Sequence, residues 1–286
     1  MAQQPIFTPF ELEAVTNCTL QYHFLQQLAP ALETEEDDIP SIEMIVRETI
    51  QHLHAAGGPF RLNLPTILRH AESAIPEAFQ SHVPFTAAVR QMVANYHRRL
   101  KEEWPQVIAS NEYMTLPIRL RGAVVQVEAV IDRLDKEQDG GITAVNLIAS
   151  PQSAPAIGPD HPIELTMIHA LVAAAYPQKR PVRIRNLWLY RNKAETIELS
   201  ETQYRQNLEK MRARLQVWLG GEVLARPGPY CDDCPFQYRG CPIYPDESPE
   251  KPADDLSDPS LPATLSPRRS FTQEAFDFEE TENPDS

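Results

Sequence analysis

Residues 230–242 read Tyr-Cys-Asp-Asp-Cys-Pro-Phe-Gln-Tyr-Arg-Gly-Cys-Pro and hold three of the four cysteines of the chain. Cys231, Cys234 and Cys241 are separated by two and then six residues, a spacing that suits chelation of a metal centre. The fourth, Cys18, lies near the other end of the sequence. Four thiolates complete either an iron–sulfur cluster or a zinc site. With Cys18 as fourth ligand, such a centre ties the first helix to the last segment. The alternative is a set of reduced thiols without a ligand.

Composition indicates a soluble globular protein, because 42% of the 286 residues are hydrophobic and 23% are charged. The sequence has no run of eighteen apolar residues, so we expect no membrane segment. It begins without the basic and apolar regions of a signal peptide. Four cysteines in that context favour a reducing, cytoplasmic location over a disulfide framework.

The net charge of −14 is concentrated at the C-terminal end. Residues 246–286 carry twelve acids and three bases, which gives this segment −9 and leaves −5 for residues 1–245. We therefore expect one folded domain over 1–245 and a disordered acidic tail over 246–286. Bulk charge excludes a strongly basic nucleic-acid binder but allows a local basic groove. The tail either keeps the protein soluble or docks on a protein partner.

Periodicity predicts helices first and then a mixture of strands and helices. The expected helices cover residues 7–30, 41–54, 64–75, 84–104, 163–175 and 201–219. The expected strands cover residues 112–120, 123–134, 142–149, 182–190 and 195–199. This order predicts an α/β core with an N-terminal helical section and a C-terminal cysteine cluster.

Two stretches carry a family resemblance. Residues 130–134 read Val-Ile-Asp-Arg-Leu after Ala129, close to a "G-x-x-D-R-I-D" strand with alanine in place of glycine. Residues 17–24 place Cys18 in an early helix, ahead of the three later cysteines. Over about residues 8–245 the chain resembles the PD-(D/E)XK nuclease superfamily in its RecB-like branch. The layout is most similar to the iron–sulfur AddB nuclease domain and the CRISPR-associated exonucleases.

The resemblance implies a restriction-endonuclease-like core, in which helices flank a mixed central sheet. It implies a 4Fe–4S cluster on the four cysteines, with zinc as the alternative, and DNA as a partner in repair or recombination. In such nucleases an acid on one strand and an Asp/Glu-x-Lys on the next hold Mg²⁺ or Mn²⁺. The metal polarises the phosphate and activates the attacking water.

The family's catalytic positions fall on residues that depart from its pattern. Asp132 matches the first acid, but Asn146 and Ile148 stand at the positions of the second acid and the lysine. The upstream histidine position falls on Arg47, and the family's downstream glutamine position falls on Glu164. An amide is a weak ligand for a hard cation, and isoleucine has no proton to transfer. The sequence therefore favours a nuclease fold that no longer cuts DNA.

Two other interpretations stay open. The chain is an active exonuclease if relocated groups complete the site: Glu128, Glu112 or Glu164 as ligands with Asp132, and Lys136 as the amine. It is a protein-interaction module if DNA binding has also been lost. A salt bridge to an arginine is the structural alternative for Asp132. Arg183, Arg185 and Arg191 are either phosphate contacts or part of a solvated strand face.

Overall fold

The fold is built on one long strand, Ala123–Lys136, which has paired strands along both of its edges. The computed structural model describes residues 4–32, 41–150, 157–232, 234, 236–237 and 241–244, with the backbone alone over 28–32. The helices in these residues are α1 (Pro9–Asn17), α2 (Thr19–Leu32), α3 (Ile42–Ala55), α4 (Leu64–Ser73), α5 (Glu77–Gln80), α6 (Val83–Glu103), α7 (Pro162–Ala175) and α8 (Glu201–Leu219). The strands are β1 (Ile6–Phe7), β2 (Gln106–Leu120), β3 (Ala123–Lys136), β4 (Ile142–Ile148), β5 (Val182–Trp188) and β6 (Lys193–Ile197).

The sheet is mixed. β2 pairs antiparallel along nearly the whole of β3. On the other edge of β3, β1 runs parallel at Gln126 and Val127, and β4 runs antiparallel from Arg133 to Lys136. β5 lies parallel to β4, and β6 lies antiparallel to β5. Parallel strands need a crossover connection, which α7 supplies between β4 and β5.

Helices cover both faces of this sheet. Residues of α1, α7 and α8 share one core with β3, and residues of α3, α4 and α6 share another with β4 and β5. Ala144 of β4 belongs to the first core, whereas Val145 and Leu147 belong to the second. Burial on both faces explains why β4 has a nearly continuous apolar sequence.

Side chains along β3 alternate between the two faces of the sheet, and this alternation shifts by one residue at Asp132. Ile131 and Leu134 both belong to the α7-side core, although residues an odd number apart face opposite ways in an unbroken strand. The change turns two consecutive residues, Asp132 and Arg133, towards α3 and α6. β2 adjusts at the facing position, where Asn111 adopts a left-handed φ of 54°. Asparagine tolerates this conformation better than most residues with a side chain.

A buried cation joins β3 to α6. Arg133 is 1% exposed and donates two hydrogen bonds to Asp135, from Nε to Oδ1 at 2.9 Å and from Nη2 to Oδ2 at 2.7 Å. Its Nη1 donates to the Tyr96 hydroxyl at 2.9 Å. That hydroxyl also lies 2.6 Å from Nε2 of His54 on α3. The network therefore fixes both helices to the strand.

The α/β class with a mixed sheet flanked by helices is confirmed, but the single helix predicted over residues 7–30 is wrong. Phe7 belongs to β1, and the chain breaks at Cys18 between α1 and α2. Cys18 is extended there, with φ −152° and ψ 110°. The apolar spacing continues across the break, so periodicity could not reveal it. The predicted tail, residues 246–286, lies outside the described residues.

We expect Arg133→Met to lower the free energy of unfolding by about 3–5 kcal/mol, because Asp135 would remain as a buried carboxylate without its cation. Denaturant titration measures the change. The matched control is Arg205→Met, which removes an exposed pair with Glu201 and should cost no more than about 0.5 kcal/mol. Equal losses in the two variants would contradict the role given to Arg133.

Candidate functional site

Along one edge of β3, Asp132 lies between the part that pairs with β1 and the part that pairs with β4. β1 pairs at Gln126 and Val127, and the ladder with β4 begins at Arg133, directly after Asp132. Oδ2 of Asp132 accepts a hydrogen bond of 2.7 Å from the backbone amide of Leu147 on β4. The carboxylate therefore satisfies a strand amide at the end of the ladder.

Arg47 of α3 forms an ion pair with this carboxylate through Nη1. Its Nη2 donates to the carbonyl oxygen of Leu147 at 2.7 Å, and its Nε donates to Glu43 at 2.9 Å. Burial opposes the charge, but the carboxylates of Asp132 and Glu43 raise the pKa of Arg47 above its ordinary value. The residue at the expected histidine position thus contacts the first acid as a permanent cation, and the salt-bridge alternative for Asp132 is what the geometry shows.

A small hollow opens beside this ion pair. It is lined by Arg47, Ile50, Gln51, His54, Ser110, Asn111, Asp132 and Leu147. Most of these side chains are polar, and Asn111 holds the left-handed backbone described above. Sparsely populated backbone conformations cluster at functional sites. The hollow is therefore a polar recess beside the Asp132 carboxylate.

Asn146 and Ile148 face the other side of the sheet. Val145 and Leu147 belong to the α3 and α6 core. Asn146 and Ile148 alternate with them along the strand and therefore point towards α7. The Asn146 amide donates to Oδ1 of Asn186, its register partner on β5, at 3.0 Å. Ile148 is 4% exposed. An amide and an apolar side chain thus stand at the sequence positions of the family's second acid and lysine, but the structure places them on the opposite face of the sheet from the Asp132 carboxylate. The expectation that these positions converge on Asp132 is therefore wrong.

Glu164 is 5% exposed and lies in the first turn of α7. A second buried acid, Glu13 of α1, accepts hydrogen bonds from the backbone amides of Ile163 at 2.6 Å and Glu164 at 3.0 Å. These are amides that a helix start leaves without an intrahelical partner. The N-cap residue His161 does not bond them with its side chain. Glu13 therefore caps α7 from another helix.

The residues predicted as replacement ligands are placed at different parts of the sheet. Glu128 accepts a hydrogen bond of 2.6 Å from the hydroxyl of Tyr113. Glu112 lies near Tyr176 at the end of α7, where burial and then this carboxylate raise the pKa of the phenol. Lys136 ends β3, at the turn into β4. Their role as ligands stays a prediction.

Two of the arginines predicted as phosphate contacts are paired with acids. Arg183 bonds Asp139 at 2.7 Å, and Arg185 bonds Glu103 at 3.2 Å. Arg191 is exposed. Exposed ion pairs are weak, so a phosphate can compete for these arginines.

The four cysteines line one pocket near the C-terminal end of the described chain. Its lining is Cys18, Leu20, Gln21, Phe24, Arg226, Tyr230, Cys231, Cys234, Phe236, Gln237, Cys241 and Tyr244. Sγ of Cys18 lies 3.7 Å from the carbonyl oxygen of Leu224, and Sγ of Cys231 lies 3.7 Å from that of Arg226. The backbone amide of Leu224 also donates to Thr19 Oγ1 at 2.8 Å. The segment after α8 therefore fastens the start of α2 beside the later cysteines.

The donor set of this pocket fits a four-thiolate centre, since all four thiols are free of disulfides. Burial is the main cause that raises the pKa of the Cys234 thiol, and nearby Cys18 and Cys231 add to it. Burial and the same two thiols raise the pKa of Tyr230 to about 12. Among the described residues, no three His, Cys, Asp or Glu side chains stand at metal-ligand spacing. The thiols thus share one pocket but do not converge to ligand distances.

Sequence reasoning missed two sets of buried charged residues that join the helices to the sheet and to each other, the Arg133–Asp135 pair and Glu13. The Arg133–Asp135 pair had a signal, because residues two apart on a strand share a face. Glu13 had none, because its partners at the start of α7 are 150 and 151 residues away in the sequence.

Residues 6–241 match the family described as the PD-(D/E)XK nuclease superfamily. The chain belongs to the PD-(D/E)XK nuclease superfamily. Asp132, Asn146 and Ile148 lie within the matched range, and their assignment to catalytic positions stays a prediction. No curated protein sequence matches the chain significantly.

Two solved structures are similar to this superfamily member. A candidate exonuclease from Eubacterium rectale is 14% identical, with 79% of this chain and 86% of the other covered and a TM-score of 0.44. A protein named SSO0001 is 11% identical, with 78% and 95% covered and a TM-score of 0.34. None of the helices that the structure describes combines the length and apolar content needed to cross a membrane.

His54, which lines the hollow, makes a pH-dependent contribution to the folding stability of the protein. Burial, followed by the charge of Arg133, lowers the pKa of His54 to about 4. In the unfolded chain a histidine has a pKa of about 6.5, so as pH falls the unfolded state binds a proton before the folded state does. The contribution is therefore fully present above pH 6.5 and is lost as pH falls towards 4.

We expect His54→Gln to remove about 3 kcal/mol of the pH dependence between pH 7 and pH 4. Unfolding free energies measured by denaturant titration across this range test the expectation. His23→Gln, which alters a more exposed histidine on α2, serves as the control. Parallel curves for wild type and His54→Gln would show that His54 titrates normally.

Proposed function

We propose that this chain is a catalytically degenerate nuclease of the RecB/AddB type, which acts as a DNA-binding or scaffold component in repair or recombination. The proposal rests on the residues at the three expected catalytic positions. Asp132, at the first acid position, is held by the guanidinium of Arg47. Asn146 and Ile148 stand where the second acid and the lysine are expected.

The chemistry of cleavage supports this proposal. Hydrolysis of a phosphodiester in this superfamily needs a divalent ion to polarise the phosphate and activate water. Mg²⁺ is usually bound by carboxylates together with waters and substrate phosphates. Asn146 contributes no negative charge, and Arg47 places a cation against Asp132. The arginine thus supplies the positive charge that a metal ion supplies in an active member.

Arg47 also accounts for the retention of Asp132. A largely buried carboxylate without a metal or cation is costly. The side chain of Asp132 is 14% exposed, and it is bonded by both Arg47 and the Leu147 amide. An acid that binds metal in an active enzyme therefore serves here to connect α3, β3 and β4.

The same proposal includes a cofactor. Cys18, Cys231, Cys234 and Cys241 would hold a 4Fe–4S cluster, with zinc as the alternative. When bound, such a centre supplies metal–thiolate bonds that crosslink distant segments. The pocket shared by the four thiols supports this assignment. A cytoplasmic location and a protein partner for the acidic tail, residues 246–286, are further parts of the proposal, supported by composition.

In a nuclease assay, the wild-type protein should release no more nucleotide than its Asp132→Asn variant. Labelled single-stranded and duplex DNA are incubated with Mg²⁺ or Mn²⁺, and acid-soluble label is measured. Asparagine keeps the shape of the side chain and removes its charge. Release that Asp132→Asn abolishes would identify an active exonuclease with relocated ligands. In EDTA the wild type should bind DNA with an affinity that falls with salt, and absence of binding would favour the protein-interaction module.

Anaerobically purified protein should be brown and contain about four irons per chain. Cys18→Ser and Cys234→Ser should each lose the visible absorption and the iron, and the protein should become insoluble. Gln21→Ala changes a pocket residue without a thiol and should keep the centre. One zinc per chain in place of iron would select the zinc alternative. Full metal content in Cys18→Ser would exclude Cys18 as a ligand.

A further inference from the structure

Phe60 and Trp104 form an aromatic pair on the surface of the helical section. Their ring centroids lie 4.2 Å apart at an interplanar angle of 40°. Phe60 is 57% exposed and Trp104 is 69% exposed, so the pair packs into neither core. Single exposed apolar residues are common, whereas contiguous apolar patches at the surface often mark interaction sites.

Hydrogen bonds to the backbone hold the segments that carry Phe60 and Trp104. Trp104 directly follows α6 with φ 45° and ψ 54°, a left-handed conformation that is an outlier for a bulky residue. Its amide donates to the carbonyl oxygen of Leu100 at 3.2 Å. Phe60 lies in the turn after α3, and Nε2 of His97 on α6 is 3.1 Å from the carbonyl oxygen of Leu62 in that turn. The turn and the end of α6 are therefore bonded to each other.

Three cations lie close to the aromatic pair in the sequence. Arg61 follows Phe60, and Arg98 and Lys101 lie three residues apart in the last turns of α6, where residues at that spacing are neighbours. Within the part of the chain that the structure describes, Arg61, Arg98 and Lys101 form no ion pair. Glu103 is nearby, but it is paired with other arginines. Glu102 is the remaining exposed acid at this end of the helix.

We propose that Phe60, Trp104, Arg61, Arg98 and Lys101 form a platform for single-stranded DNA. Exposed bases stack on aromatic faces, and phosphates pair with flanking cations. Duplex DNA fits less well, because its bases already stack within the helix. The residues that line the hollow beside Asp132 do not belong to the platform. This inference rests on the DNA-binding part of the proposed function and gives it a location.

A protein partner or a second copy of the chain is a poorer occupant. Protein interfaces are enriched in aromatic residues and arginine, but lysine is depleted in them and their cores are depleted in charged residues. Three cations that form no ion pair within the described residues, close in sequence to two exposed aromatic rings, complement a polyanion that also offers flat apolar surfaces. Single-stranded nucleic acid has both properties.

Fluorescence anisotropy of labelled oligo(dT) with the full chain in EDTA tests the platform. We expect the double variant Phe60→Ala/Trp104→Ala to bind at least about fivefold more weakly. Trp104→Phe keeps an aromatic face and should restore binding to within about twofold of wild type. Tyr113→Ala removes an aromatic side chain of similar exposure on β2, 56%, and should bind like wild type.

Salt dependence tests the cations separately. Arg61→Ala/Lys101→Ala should reduce the slope of log affinity against log salt by about 1.4, since each phosphate contact to a single strand contributes about 0.7. Arg205→Ala removes an exposed cation on α8 and should leave the slope unchanged. Because the altered side chains are exposed, thermal unfolding should stay at the wild-type temperature in all variants.

Several outcomes would overturn the platform. They are wild-type affinity and slope in both double variants, binding of duplex DNA without binding of oligo(dT), and a wild-type dimer that Phe60→Ala/Trp104→Ala dissociates. The second of these leaves the proposed function intact. Conversely, DNA cleavage that depends on Asp132 would contradict the proposed loss of catalysis. The binding of oligo(dT) in EDTA would still test the platform in that case. Failure to bind any DNA removes both.

Discussion

The rest of the structure depends on the change of phase in β3, which turns Asp132 and Arg133 to the same side of the sheet. Two consecutive charged side chains then face a region covered by α3 and α6. Buried charges require partners. Arg47 reaches Asp132 from α3, and Tyr96 reaches Arg133 from α6. These bonds set the position of both helices against the sheet, and the hollow lies between the surfaces that they hold in place.

The residues at the nuclease positions fall into two groups on opposite faces of the sheet. On the side of α3, Arg47 compensates the charge of Asp132. On the side of α7, Asn146 forms a neutral amide pair with Asn186, and the apolar side chain of Ile148 is buried. Protein groups therefore satisfy Asp132 and Asn146 separately, each on its own face of the sheet.

Local patterns in the sequence were sufficient for most of the fold. Period-2 and period-3.6 spacing placed most of the strands and helices, and the capping residues Ser200 and Gln203 marked the start of α8. Spacing could not show the break at Cys18 or the phase change at Asp132, because tertiary contacts decide both. The position of Arg47 beside Asp132 came from the family resemblance. Glu13, by contrast, needed the fold itself, since α7 meets it from far along the chain.

The N-terminal segment is fastened to the domain at three places without any cofactor. β1 pairs with β3, Glu13 caps α7, and Thr19 exchanges bonds with Leu224. The last described residues have fewer such ties, since they follow α8 in turns and a short 3₁₀ element, Pro229–Cys231. A thiolate centre on Cys18 and the three later cysteines would therefore add little to the N-terminal helices. Its main effect would be to hold the C-terminal segment against a helix that is already anchored.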